Sequence, residues 1–206
     1  MNDLLDVTLL STTFLTLFVI MDPPGTVPVF LALTSSMGPR ERTRAARDAT
    51  FVAFGVILSF TIFGQAILNF LHISVPALQA SGGLLLLLVA MELLTGRAEE
   101  PKPSAQNVNV ALVPLGTPLL AGPGAIVASM VAVESSDGSV ADWVAILLAI
   151  VGVHVCLYLA MRFAGQIHRV LGQGGTTLVT RIAGLLLAAI AVQLIADAVI
   201  AFAAAA

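Results

Sequence analysis

The sequence has little charge. Of its 206 residues 10% are charged and 58% are hydrophobic, whereas a soluble domain has roughly 25% charged and 45–50% apolar residues. So few charged side chains cannot cover the surface of a soluble globule of this size. The composition therefore predicts a protein whose solvent is largely lipid.

The chain also lacks the residues that several kinds of chemistry need. It contains one cysteine, Cys156, and three histidines. A single thiol excludes an internal disulfide and dithiol redox chemistry, and the histidines have none of the spacings of a zinc site. The net charge of −3 with no basic tail or stripe argues against a nucleic-acid partner. We therefore expect no cofactor, no metal and no nucleic acid.

Long hydrophobic runs are what the sequence does have. Six stretches could cross about 30 Å of hydrocarbon as helices, which takes about 20 residues each. The predicted fold class is an all-α membrane protein with six transmembrane helices in one domain, residues 1–206. The predicted spans are residues 4–35, 49–71, 77–95, 110–133, 142–164 and 180–203. The polar segments 96–109 and 165–179 are predicted to be loops.

The basic residues predict the orientation of these spans. All nine Lys and Arg residues fall on one side of the six predicted helices. By the positive-inside rule that side is cytoplasmic. The N-terminus and the C-terminus are then both extracytoplasmic.

The two halves of the chain, residues 1–100 and 105–206, resemble each other. Residues 83–94 match residues 184–195 at an offset of 101, and Gly64-Gln65 matches Gly165-Gln166 at the same offset. Each half carries three spans, an odd number, so the second half would enter the membrane in the opposite direction. The pattern predicts two inverted three-helix repeats.

Prolines predict where two of the helices break. Six of the ten prolines lie in the first and fourth spans, and an internal proline removes a helical hydrogen bond. Residues 22–28 and 114–124 are therefore predicted to be broken helix. Such backbone is tolerated at membrane depth only inside protein or beside a polar cavity, so we expect the two breaks to face each other.

The chemistry of these breaks predicts a binding site. Half-helices that start at the breaks would direct their positive ends at a carboxylate, and Asp22 with the freed carbonyls would suit an ammonium group. No Lys or Arg lies in a span core, so a small zwitterion, such as a small neutral amino acid, is the predicted ligand. The predicted substrate-binding residues are Asp22, Pro23, Pro24, Gly25, Thr26, Val27, Thr117, Gly122, Pro123, Gly124, Ala125, Ile126 and Gln193.

Two ionisable residues inside the spans are candidates for proton coupling, Asp22 and His154, because such residues are costly in a membrane and often functional. A structural role stays open for each. Asp22 could cap the half-helix that follows it, and His154 could be a neutral ring bonded to a backbone carbonyl.

Several segments resemble one known family. Residues 22–34 and 113–126 look like the two signature breaks of the MarC family, also called the small neutral amino acid transporter family, and residues 82–94 and 181–193 look like its third and sixth spans. The resemblance covers the whole chain. It implies an integral protein of the bacterial or archaeal inner membrane, with some members moving glycine, alanine or serine in a proton-dependent manner.

The predicted function is accordingly secondary transport of small neutral amino acids by alternating access. A channel or a non-transporting membrane scaffold would also tolerate broken helices and remains the alternative. An enzyme is not expected, because Ser59 or Ser81 beside His154 would lack a GxSxG elbow and the sequence has no metal motif. Beyond the substrate and the lipid bilayer, no partner or oligomeric state is predicted.

Overall fold

The computed structural model describes residues 5–95 and 120–205, and within these two ranges the chain is helical with no strand. The predicted all-α class is confirmed. The helices are α1 (Val7–Met21), α2 (Pro23–Leu33), α3 (Pro39–Leu71), α4 (Val75–Thr95), α5 (Pro123–Glu134), α6 (Val140–Arg162) and α7 (Ala164–Ala205).

Five segments of the described chain are long and apolar enough to span a membrane. They are Val7–Leu33, Pro39–Leu71, Val75–Thr95, Val140–Arg162 and Gly174–Ala204, and the first of them contains both α1 and α2. The second part of the predicted fourth span forms α5, a shorter apolar helix, while the first part lies outside the described residues. The chain is therefore a multi-pass membrane protein.

Two predicted boundaries are wrong. The second span was predicted from residue 49, but α3 begins ten residues earlier at Pro39. The predicted loop at 165–179 is helical, and its one non-helical residue is Gly172 with φ of 62°. The glycines at 172, 174 and 175 suggested a loop, but a helical glycine costs only about 1 kcal/mol relative to alanine. The packing of Ile167 against the main buried cluster favours the helix instead.

The helix boundaries recur at nearly the offset seen in the sequence. α6 begins 101 residues after α3, and α5 begins 100 residues after α2. The starts of α3 and α6 also carry the same capping arrangement, in which the residue before the helix bonds the side chain of Glu41 or Asp142 three positions on. Before α4 the chain has a left-handed residue at His72, and Gly172 has the same sign of φ in the second half. The described helices thus follow one order in both halves of the chain.

The helices α4 and α7 pack against each other at two glycines. A Cβ atom on Gly83 would lie 2.7 Å from the carbonyl oxygen of Ala191, and one on Gly184 would lie 3.4 Å from the carbonyl oxygen of Ala90. Small residues at these points let the two backbones approach closely, as in many membrane helix pairs. Four side chains are buried at this contact: Leu86, Ala90, Leu187 and Ala191.

The remaining helices form the main core. α6 contacts α1, α2 and α3, and α5 contacts α1, α3 and α4. The buried cluster that joins these helices includes Leu17, Phe30, Ile57, Ile150 and Leu157. It surrounds the break between α1 and α2, which is therefore held inside protein.

Replacing Gly83 by alanine should destabilise the protein. The added methyl group meets backbone and the Ile195 side chain, so the helices must separate, and overpacking of this kind costs about 1–3 kcal/mol. Gly55 in α3 is the matched control, because a Cβ there meets nothing within 4 Å. Thermal unfolding in detergent should show a lower midpoint for Gly83→Ala and an unchanged or higher midpoint for Gly55→Ala. Equal midpoints for the two variants would contradict the close crossing.

Candidate functional site

The break in the first span is one residue long. α1 ends at Met21, Asp22 has left-handed dihedrals (φ 40°, ψ 68°), and α2 begins at Pro23. The Asp22 N–H still donates to the Phe18 carbonyl at 3.1 Å. The predicted break through residue 28 is therefore too long, since Pro28 lies inside α2.

The first two prolines explain why the break is so short. Pro23 and Pro24 occupy the first turn of α2, where an N–H group has no acceptor within the helix, so their missing N–H groups cost nothing there. Pro28 does remove one hydrogen bond inside the helix. The Thr26 hydroxyl lies 3.0 Å from the Asp22 carbonyl and 3.5 Å from the Met21 carbonyl, and the Met21 carbonyl needs a donor because the Gly25 N–H bonds the Asp22 carboxylate instead.

Asp22 caps the half-helix that follows it. One carboxylate oxygen accepts a hydrogen bond from the Gly25 N–H at 3.1 Å, and the Asp22 carbonyl accepts from the Thr26 N–H at 3.0 Å. The other carboxylate oxygen lies where a Cβ atom on residue 25 would be, so only glycine fits at that position. The capping role left open by the sequence is present in the structure.

The carboxylate of Asp22 is buried. The residue is 8% exposed and Thr26 is 5% exposed, and the ion pairs of the described chain do not include Asp22. Burial of a carboxylate without a cation costs free energy. A positively charged group that approached Asp22 would relieve part of that cost.

The second half-helix has a different start. α5 begins at Pro123, and its preceding residue, Gly122, offers no side-chain cap. The Gly122 carbonyl accepts from the Ala125 and Ile126 N–H groups at 3.0 Å and 3.2 Å. Within the described ranges, the N–H of Gly124 has no acceptor. Among the described residues, no side chain caps the positive end of α5, which favours an anion there.

Gly124 also has a packing role. A Cβ atom on it would collide with the Leu86 side chain of α4. The glycine therefore lets α5 approach α4, whereas the sequence suggested only room for a ligand. Thr117, which precedes α5, lies outside the described residues together with Pro114, Gly116 and Pro118.

A cavity of about 270 Å³ lies between α1, α5 and α7. Its lining is largely apolar, the polar groups being hydroxyls and one amide, and none of the described residues that line it is charged. It is slightly smaller than the roughly 300–1,000 Å³ of typical ligand pockets, which suits a small solute. The polar lining residues are Thr12, Thr13, Thr16, Ser135 and Gln193.

Gln193 is the predicted site residue that lines this cavity. Its amide nitrogen donates to an Asp197 carboxylate oxygen at 2.7 Å. Thr12, Thr13 and Thr16 were not among the predicted site residues, although their spacing places them on one face of a helix. The Thr12 hydroxyl donates to the Thr8 carbonyl at 2.8 Å, while those of Thr13 and Thr16 have no hydrogen bond within the described chain.

The cavity ends close to both half-helix starts. Leu17 and Ala128 line it, and each is four residues from a break, since Met21 ends α1 and Gly124 lies in the first turn of α5. Four helical residues rise about 6 Å. The break residues 22–27 and 122–126 do not line the cavity, so the structure places them about one turn beyond its lining rather than on its wall.

His154 lies elsewhere. It is 4% exposed, and its Nδ1 lies 2.7 Å from the Ile150 carbonyl, the arrangement expected for a structural role. Its Nε2 is buried without a partner, and the ring meets Phe54 edge-on at 5.2 Å. The residue lines a separate apolar cavity of about 410 Å³ between α3 and α6. His154 lines this cavity, and Asp22 lines neither it nor the cavity beside α1.

Comparison with known proteins gives the family. The model of the MarC family of integral membrane proteins matches residues 7–202. The chain belongs to the MarC family.

Similar proteins occur in archaea and bacteria. The chain is 39% identical to a UPF0056 membrane protein of Methanocaldococcus jannaschii, over 90% of this chain and 93% of that one. It is 37% identical to a UPF0056 membrane protein of Aquifex aeolicus, over 89% of each chain, and 33% identical to the UPF0056 membrane protein YhcE of Escherichia coli, over 88% and 87%. No solved structure matches the chain.

The match to the MarC family covers both half-helix starts. Asp22, Gly25 and Gly124 all lie within the matched residues, as does Gln193 in the cavity. In this MarC family protein the first start is capped by its own carboxylate and the second has no side-chain cap. The two half-helix ends are therefore chemically different.

Proposed function

We propose that this MarC family protein is a secondary transporter of small neutral amino acids, such as glycine, alanine and serine, across the cell inner membrane. The observation that carries the proposal is a largely apolar cavity with four hydroxyl groups and one amide in its described lining, which ends about one turn from two half-helix starts. A membrane helix broken at a buried carboxylate is costly. Transporters use such breaks to bind substrates near the middle of the membrane.

The packing supports an inverted repeat. α2 contacts α6 and α7, and α5 contacts α3 and α4. If α2 corresponds to α5, α3 to α6 and α4 to α7, the contacts of α2 with α6 and α7 correspond to the contacts of α5 with α3 and α4. α3 also contacts α6, and α4 contacts α7. Each of these contacts joins a helix to its own counterpart in the other half.

The glycines of α4 and α7 give the same relation at single residues. Gly83 approaches Ala191 and Gly184 approaches Ala90, and 184 and 191 are 83 and 90 shifted by 101. Reciprocal contacts of this kind are those of a two-fold symmetric interface. The residue numbers run in opposite directions along the two helices, so the pair is antiparallel, as inverted repeats require.

The charges favour a zwitterion. The uncapped start of α5 suits a carboxylate, and the buried Asp22 suits an ammonium group. The hydroxyls of Thr13 and Thr16 can bond a small polar substrate on its way to that region. The cavity lacks the cation that a substrate with net negative charge would need, so a neutral amino acid fits best.

The sidedness follows from the basic residues. The cavity is lined by the N-terminal part of α1 and the C-terminal part of α5. Four arginines lie in the first part of α3, close to the C-terminal end of α2 and so at the opposite end of the first span from the cavity. By the positive-inside rule the cavity opens to the extracytoplasmic side, where we also place both termini.

The alternatives differ from a carrier in their kinetics. A channel would not saturate at low substrate concentration or show counterflow, and a scaffold would show no flux. We favour the carrier because the exchange of halves gives two related states that open to opposite sides. We also propose that the protein is not an enzyme, since the cavity lining has no nucleophile beside a base.

Counterflow in liposomes tests transport. Proteoliposomes loaded with unlabelled alanine should accumulate labelled alanine, glycine and serine, and should accumulate much less labelled leucine. Thr13→Val should raise the half-saturating concentration about three- to tenfold, because one hydrogen bond contributes about 0.5–1.5 kcal/mol. Ser59→Ala is the control, since this exposed hydroxyl on α3 lies outside the cavity. Linear, unsaturable flux would indicate a channel, and equal effects of the two variants would exclude the cavity as the route.

A pH gradient tests coupling through Asp22. Uphill movement of a neutral zwitterion needs a second species, and a proton on Asp22 could supply it. Asn can cap a helix and adopts left-handed dihedrals readily, so Asp22→Asn should fold and keep counterflow but lose the response to an imposed gradient. A response retained in Asp22→Asn and lost in His154→Gln would move the coupling to His154.

A further inference from the structure

A second polar cavity lies at the arginine-rich end of the protein. Its volume is about 390 Å³, and it is formed by the start of α3 and the junction of α6 with α7. It therefore joins residues of the first half of the chain to residues of the second. Its lining includes Met37, Arg42, Thr43, Met161, Arg162 and Gln166.

The described lining residues carry two positive charges and no negative one. The ion pairs of the described residues join Arg44 and Arg47 to Asp48, so Arg42 and Arg162 have no carboxylate partner there. Glu41 does not line the cavity and instead accepts a hydrogen bond from the Gly38 N–H at 3.1 Å. The cavity is thus positively charged.

The two guanidinium groups use little of their hydrogen-bonding capacity. Arg42 Nη2 donates to the Thr34 carbonyl at 3.0 Å, and Arg42 Nε is buried with no acceptor among residues 5–95 and 120–205. Arg162 lies over the Phe163 ring at 5.6 Å. Each guanidinium has five N–H donors, and a buried donor without an acceptor costs free energy. An acceptor from outside the chain would satisfy them.

The residues that line this cavity can be compared with their counterparts in the other half of the chain, which lie at the opposite end of the protein. A shift of 101 residues relates Arg42 to Trp143, Arg162 to Thr61, and Gln166 to Gln65. Neither arginine has a charged counterpart at that end. The two cations belong to this end alone.

The side-chain amide of Gln166 also lines this cavity. Its counterpart Gln65 donates a side-chain hydrogen bond to the carboxylate of Glu134. The counterpart of Glu134 at the arginine-rich end is Leu33, which offers no acceptor. Within the part of the chain that the structure describes, the amide of Gln166 therefore has no anionic oxygen like the one that its counterpart bonds, and Gln166 lines the same cavity as the two arginines.

We propose that this cavity binds a phosphate group, held by Arg42 and Arg162 with help from Thr43 and Gln166. The planar guanidinium matches phosphate oxygens with two parallel hydrogen bonds. The phosphate comes from an anionic phospholipid headgroup or from free phosphate, and basic pockets between membrane helices are known to suit such headgroups. Because both halves line the cavity, the bound group ties them together.

Binding measurements on the purified full-length protein test this. Dihexanoyl phosphatidylglycerol and inorganic phosphate are titrated separately, and each is then used to compete with the other. We expect at least one of them to bind and Arg162→Gln to weaken that binding roughly tenfold, the loss of one charge-assisted pair. Arg169→Gln is the control, because Arg169 is an exposed arginine outside the cavity and its loss should leave the affinity unchanged.

The competition assigns the source of the phosphate. Displacement of the lipid by millimolar phosphate indicates the free ion, and lipid binding that phosphate does not displace indicates the headgroup. Gln166→Leu, at an exposed position, should also weaken binding and guards against a folding defect in one variant. Binding of neither compound, or binding that both cavity variants leave intact, would overturn the proposal. Neither result depends on transport.

Discussion

Hydrocarbon offers no hydrogen-bond partner, so every backbone N–H and carbonyl in a span must be satisfied within the protein. The first span breaks at Asp22, and the N–H groups at the break meet this condition. The chain changes direction over one residue, prolines fill the positions where an N–H would be unpaired, and the Asp22 carboxylate takes the Gly25 N–H. Gly25 must be glycine to leave room for that carboxylate. The buried core around the break then follows, because only protein can surround such a group.

The crossing of α4 and α7 provides the frame on which these breaks are held. Gly83 and Gly184 let the two helices approach at reciprocal points, and Leu86 and Leu187 fill the space between them. Leu86 also contacts the position of Gly124, so the same crossing sets where α5 begins. A change in this crossing would therefore move the uncapped half-helix start with it. This link makes the α4–α7 pair the element through which we expect the two halves to exchange roles.

The sequence predicted the helical class and the break after Met21, because proline chemistry and long apolar runs act locally. It did not predict the extent of that break, since prolines at the start of a helix and prolines within it look alike in sequence. Packing decided the other differences. Ile167 packs the start of α7 against the main core, while the chain kinks at Gly172, and Leu86 makes Gly124 a packing residue. The role of the threonines at 12, 13 and 16 depended on which helices meet α1, which no local pattern encodes.

In the proposed transport cycle the two halves of the chain exchange conformations. A residue that is accessible from one side of the membrane in the first state then has a counterpart, 101 residues away, that is accessible from the other side in the second state. Gln193 lines the present cavity, and Glu92 is its counterpart 101 residues earlier. The decisive measurement is the labelling of Gln193→Cys and Glu92→Cys, each in a Cys156→Ala background, by a membrane-impermeant thiol reagent applied from either side. The account predicts labelling of residue 193 from the extracytoplasmic side and residue 92 from the cytoplasmic side, with saturating alanine changing the two rates in opposite directions. Labelling of both from one side, or rates that rise and fall together, would contradict it.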